Sequence, residues 1–155
     1  MNNAPLSGGC QCGAVRFSVQ KFGRASICHC RMCQKAFGGF YAALVSIDKY
    51  EWTRGTPSWF RSSNQVERGF CNNCGTPLAY KYDGGIELAI ATFDQPDLLP
   101  PEIQICTKQR IDYVDGLAGL TAFEYGASSD VDVVFDNVKS CQHPDHDTDD
   151  WPPNE

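Results

Sequence analysis

The chain has 155 residues, of which 42% are hydrophobic and 21% charged, with 13 basic against 19 acidic side chains and a formal charge of −6. That length fits one globular domain, and the charge argues against non-specific binding to nucleic acid or an anionic membrane. No run approaches the ~18 apolar residues of a membrane span, and residues 1–5 lack the basic start and apolar stretch of a secretory signal, so the expected compartment is the reducing cytosol.

Residues 1–9 read as a lead-in that ends in Gly8-Gly9. Val15, Phe17 and Val19 then alternate with Ala14, Arg16 and Ser18, the period of a half-buried strand. A short helix is predicted over residues 31–37, closed by Gly38-Gly39. Residues 40–47 form an apolar, β-prone run, followed by strand candidates at 50–53, 58–61 and 66–70. Asp83-Gly84-Gly85 between residues 78–82 and 86–92 signals a hairpin. Residues 94–101 read as a proline-rich loop, 110–127 carry no clear period, and 131–135 are the last strand candidate. The expected fold is all-β with little helix: one domain over residues 1–139, followed by a flexible acidic tail over 140–155.

Nine cysteines, an odd number without a signal peptide, make a poor disulfide framework, and their clustering points to metal instead. Cys10-Gln11-Cys12-Gly13 and Cys71-Asn72-Asn73-Cys74-Gly75 together offer four thiolates from two glycine-bounded turns, the donor set of a closed tetrahedral zinc site. Such a tetrathiolate set accepts zinc or iron. Cys28-His29-Cys30-Arg31-Met32-Cys33 offers three thiolates, and three ligands with a free position are the arrangement of a catalytic metal. His29, Cys106 or Cys141 could close that set instead. Cys106 follows the apolar Ile103-Gln104-Ile105 and reads as a buried thiol, whereas Cys141, His143 and His146 read as an incidental part of the tail. Two zinc ions would take the charge to about −9, so attraction for an anionic ligand must be local.

These motifs, with Ala14-Val15-Arg16-Phe17 after the first pair, Gln34-Lys35-Ala36-Phe37-Gly38 after the second cluster and Thr76-Pro77-Leu78 after the last pair, resemble the glutathione-dependent formaldehyde-activating (GFA) family, which includes the centromere protein V domain. The resemblance runs over about residues 8–120. It implies coiled antiparallel β-sheets around zinc, of the kind shared with methionine-R-sulfoxide reductase. It also implies two zinc ions per chain, structural at Cys10, Cys12, Cys71 and Cys74 and catalytic at Cys28, Cys30 and Cys33. The implied activity is that of a carbon–sulfur lyase joining glutathione and formaldehyde as S-hydroxymethylglutathione. Where family members often carry a histidine and a tryptophan beyond the proline-rich loop, this chain has Gln104 and Tyr113. That departure favours, as the alternative, a non-catalytic zinc-binding module for a protein or small-molecule partner.

Glutathione carries two carboxylates, so its site needs cations or amides. Arg31 and Lys35, beside the second cluster, are the candidate contacts, with a solvated surface position as the alternative for each. Phe37, Phe40 and Tyr41 are candidate pocket walls or core residues. Oligomeric state is left open.

Overall fold

In the computed structural model, residues 4–122 and 138–151 are described. The chain divides into two compact units, Met1–Arg110 with Gln142–Glu155, and Ile111–Cys141. In the second unit the described backbone forms a 3-10 turn over Asp112–Gly119, and the strand expected at residues 131–135 lies outside the described residues.

The first unit is built on an antiparallel sheet. In chain order its elements are β1 (Leu6–Gly9), β2 (Arg16–Cys28), α1 (Arg31–Phe37), β3 (Ala42–Arg54), β4 (Ser58–Arg61), β5 (Val66–Phe70), β6 (Pro77–Tyr82), β7 (Gly85–Ala89) and β8 (Ile103–Ile105). The strands lie side by side as β1-β2-β3-β7-β6-β5-β4, and β8 adds in parallel to the end of β2. The all-β expectation holds.

Local chemistry explains these elements. Tyr82 pairs with Gly85 across a two-residue Asp83-Gly84 loop, where Gly84 adopts a φ of 149°. Between Phe22 and Ala25 the β2–β3 ladder shifts register, with one more residue on β2 than on β3. Such a bulge bends a long strand and increases its twist. β2 therefore runs on to Cys28, beyond the alternation read over residues 14–19, and the gap between the strand candidates at 40–47 and 50–53 lies inside β3, with Lys49 at a φ of 53°.

β3 presents its two faces to two separate apolar clusters. Val45 and Ile47 join Phe17, Val19, Leu78 and Leu88, whereas Ala42 and Leu44 pack with Cys28 and Cys33. Alternate residues of a strand point to opposite faces, so the clusters lie on opposite sides of the sheet. Phe17 anchors the larger one, fully buried, with its ring edge-on to Trp52 and Phe93. Each cluster holds one group of cysteines.

The tail differs from the expectation of a loose acidic segment. His143 is buried, its amide donates to the Gln11 carbonyl at 2.7 Å, and the Trp151 indole donates to the Cys12 carbonyl at 2.9 Å. Asp147 joins Asp94 on the buried Arg16 guanidinium. Of the acidic residues that suggested solvation, Asp147 serves here as a partner for Arg16, and Trp151 packs edge-on to His143.

Candidate metal centres

The four thiols of Cys10, Cys12, Cys71 and Cys74 come together from two turns, one after β1 and one after β5. Cys10 follows β1, and the Gly13 amide bonds back to the Cys10 carbonyl at 3.0 Å. Cys71 follows β5, and the Gly75 amide bonds back to the Cys71 carbonyl at 2.8 Å. Both glycines adopt positive φ, 73° and 78°, which a residue with a Cβ rarely takes. The sulfurs of Cys10 and Cys12 lie 3.6 Å apart, those of Cys12 and Cys71 3.8 Å, and all four lie within 4.8 Å of one another. A tetrahedron with metal–sulfur bonds of ~2.3 Å has edges of about 3.8 Å, so this donor set fits one ion.

Burial pushes the Cys10 thiol up to about 12. At Cys74 burial acts in the same direction, but hydrogen bonds from the Thr76 hydroxyl and amide outweigh it and bring that thiol down to about 6. Neutral donors serve these sulfurs: the Val15 amide reaches Cys10 at 3.2 Å and the Thr76 hydroxyl lies 3.1 Å from Cys74.

On the other face of the sheet, Cys28 ends β2, Cys30 caps α1 and Cys33 lies in its first turn. The Cys33 amide donates to the Cys30 sulfur at 3.4 Å, which brings the last two thiols together. Gln34, itself buried, ties the helix start to the carbonyls of His29 and Gln109. Three thiols lie within 4.8 Å of one another, and among the described residues no fourth His, Cys, Asp or Glu atom joins them. Burial raises the Cys28 thiol and, against the pull of Arg68, the Cys33 thiol. At Cys30 the effect of burial is outweighed by hydrogen bonds from the Cys33 amide and neighbouring thiols, and that thiol is lowered.

The three candidates for a fourth ligand are not in this group. His29 is buried, but its Nε2 lies 2.8 Å from Gln104 Oε1 and its ring stands edge-on to Tyr41. Gln104 thus holds His29 in place. Cys106 corrects the expectation of a buried thiol: it is exposed, at a φ of 55°, because the three-residue β8 lies at the sheet edge with Gln104 and Ile105 also exposed. Cys141 is likewise exposed.

A cavity of about 1000 Å³ opens over the three thiols. Arg31 and Lys35, the expected cations, do not line it, and both are exposed. Successive helical residues are rotated by about 100°, so positions two before and two after Cys33 point to the opposite side of α1. Nor do Phe37, Phe40 and Tyr41 form its walls; Leu44, Tyr80 and Tyr82 do.

The cation in that cavity is Arg68, which sequence reasoning missed. Cross-strand pairing sets Arg68 opposite Tyr80, Tyr80 opposite Glu87 and Glu87 opposite Ser46, a polar row across β5, β6, β7 and β3. The guanidinium stacks 5.0 Å from the Tyr80 ring centroid, donates to Ser62 Oγ at 3.2 Å and reaches the Cys33 sulfur at 3.5 Å. Burial raises the Glu87 carboxyl, opposed by the Ser46 hydroxyl at 3.1 Å. The available signal was the hairpin register, which puts Arg68 and Glu87 level with Tyr80.

Comparison with known proteins agrees with this arrangement. Residues 5–109 match the family model described as glutathione-dependent formaldehyde-activating enzyme, a span that takes in both cysteine groups. A protein of Schizosaccharomyces pombe (strain 972) described as an uncharacterized lyase is 30% identical over 80 residues, 50% of this chain and 58% of that protein. The match thus spans little more than half of that relative. On the match over residues 5–109, the chain belongs to the glutathione-dependent formaldehyde-activating family.

Proposed function

We propose that this chain is a zinc-dependent carbon–sulfur lyase for a thiol–aldehyde adduct, with glutathione and formaldehyde as the components. Cys10, Cys12, Cys71 and Cys74 would hold a structural zinc, and Cys28, Cys30 and Cys33 a catalytic one. The observation that carries this reading is the contrast between the two groups: four thiols at tetrahedral spacing on one face, three thiols under a cavity on the other. When bound in the second group, zinc supplies Lewis acidity and lowers the pKa of a coordinating thiol.

The chain's own residues do the rest. Cys28, Cys30 and Cys33 are fixed by a strand end and a helix start, so they need little reordering to accept a ligand. Tyr80, Tyr82 and Leu44 give the cavity an apolar wall, Arg68 adds one cation, and Asp83 and Glu87 add two acids. In the lyase direction the adduct's hydroxyl loses its proton as the carbonyl forms, and the carbon–sulfur bond breaks with its electron pair leaving on sulfur.

The test is metal analysis combined with calorimetric titration of glutathione into wild type and Cys30→Ser. Two metals and glutathione binding in wild type, against one metal and no glutathione binding in Cys30→Ser, are the expected results. Fully metallated wild type that binds no glutathione and forms no adduct would leave the non-catalytic zinc module as the function.

A further inference from the structure

We infer that Arg68 supplies the positive charge that lets an external thiol bind at Cys28, Cys30 and Cys33 as a thiolate. The inference rests on the reading of these three cysteines as an open metal site, and adds the residue that decides what charge the fourth ligand carries.

Among the described residues, no carboxylate pairs with the buried Arg68 guanidinium. It is 8% exposed, and its acceptors there are Ser62 Oγ and the Cys33 sulfur. Its Nη1 is buried and has no hydrogen-bond partner among the described residues. Burying an ionised side chain is costly unless a counter-charge and hydrogen bonds offset it. Glu87 is not that counter-charge, since Ser46 holds its carboxyl, burial raises it, and Arg24 is the cation that acts on it. The counter-charge at hand is the thiolate group.

The two cysteine groups differ in how they are compensated. Four thiolates around a divalent ion leave a charge of about −2, and the donors found on the closed group's sulfurs are all neutral, backbone amides and a hydroxyl. Those four ligands are all tethered by the chain, so none has to be recruited. Three thiolates around the same ion leave only about −1, yet this smaller charge has a full guanidinium against it. A cation in excess at the less charged group suits a site that gains another negative ligand in its working cycle.

The chemistry of a free thiol explains the need. A thiol with an ordinary pKa of ~8.5 holds its proton near neutral pH. On binding, its S–H bond breaks, the proton goes to bulk water, and its sulfur becomes the fourth ligand. The group then carries about −2, and Arg68 reduces this to about −1. Its position is fixed by the Tyr80 ring and Ser62, so the charge is in place before the ligand arrives.

The experiment uses protein loaded with two cobalt(II) ions, titrated separately with 2-mercaptoethanol and with imidazole and followed by visible absorption. The first probe binds as an anion and carries no carboxylate, whereas the second binds as a neutral ligand. Arg68→Met is expected to weaken 2-mercaptoethanol at least about tenfold, the scale of a lost charge-assisted contact, and imidazole less than about twofold. Arg68→Lys, which keeps the charge, is expected to restore part of the loss. Loading of two cobalt ions is the check on folding in each variant, and Arg68→Gln takes the place of Arg68→Met if the latter does not load. Unchanged 2-mercaptoethanol binding overturns the inference, including where glutathione alone weakens, because Arg68 would then serve a carboxylate. Equal weakening of both probes also overturns it, since that marks a distorted site. Wild type that takes up one cobalt, or two without binding any thiol, sinks the open-site reading itself.

Discussion

Replacing Cys71 and Cys74 together by alanine removes a fully buried sulfur and its partner thiol and, with them, the clip that the proposed zinc makes between chain segments 59 residues apart. Restricting a loop of that length in the unfolded chain stabilises the folded state by about 4 kcal/mol on the chain-entropy estimate for cross-links. Losing one buried atom adds about 1 kcal/mol. The expected total of about 5 kcal/mol rivals the whole stability of many domains, ~5–15 kcal/mol. For a chain of this size it corresponds to a drop in Tm of about 10–20 °C. Circular dichroism melts with metal analysis measure it. Cys30→Ser provides the comparison, because Cys28 to Cys33 closes only a short loop, worth about 2 kcal/mol. Chelation of wild type is expected to reproduce most of the loss in the Cys71→Ala/Cys74→Ala double variant. Melts of that double variant within a degree or two of wild type would refute the reasoning, as would an equal loss in Cys30→Ser.

Truncation before Gln142 removes the contacts of His143, Asp147 and Trp151 and is expected to cost about 2–4 kcal/mol, read as a lower denaturant midpoint; an unchanged midpoint would mean the tail contributes nothing. Phe17→Ala empties the centre of the larger cluster and is expected to cost about 3–5 kcal/mol in the same assay, with a loss under about 1 kcal/mol as the contrary result. Asp94 concerns acid stability. Burial acts to raise its carboxyl, but hydrogen bonds from Arg16 and Ser7 outweigh burial and hold it below the ordinary value. A depressed folded-state pKa contributes stability above the unfolded value, about 3.9, that is lost as pH falls through the folded one. Stability plotted against pH should therefore fall less steeply below about pH 4 in Asp94→Asn than in wild type, and parallel acid limbs would contradict this.

What could be read from the sequence followed from local chemistry. The cysteine pairs and their glycines announced both groups, Asp83-Gly84 announced its hairpin, and Gly38 marked the end of α1. β2 was read only over its first residues and β3 as two fragments. The cause in β2 is a bulge in an exposed polar stretch, and in β3 a single residue at positive φ, both of which interrupt the alternation without ending the ladder. Cys106 was misjudged because an apolar tripeptide at a sheet edge resembles a buried one in composition. Arg68 and the docked tail were beyond local reading, since their contacts join residues 35 and more than 100 positions apart. Proximity to Cys33 in sequence pointed to Arg31 and Lys35, whereas proximity in space belongs to the strand opposite Tyr80.

The central claim is that one cysteine group is closed and the other accepts an external thiol. X-ray absorption at the zinc edge on protein carrying two zinc ions, with and without glutathione, tests it most directly. Four sulfur ligands in one site and three in the other predict an average of about 3.5 sulfurs per zinc, rising to about 4 when glutathione binds. An average of about 4 before glutathione is added, or one that stays at about 3.5 at saturating glutathione, would contradict the account.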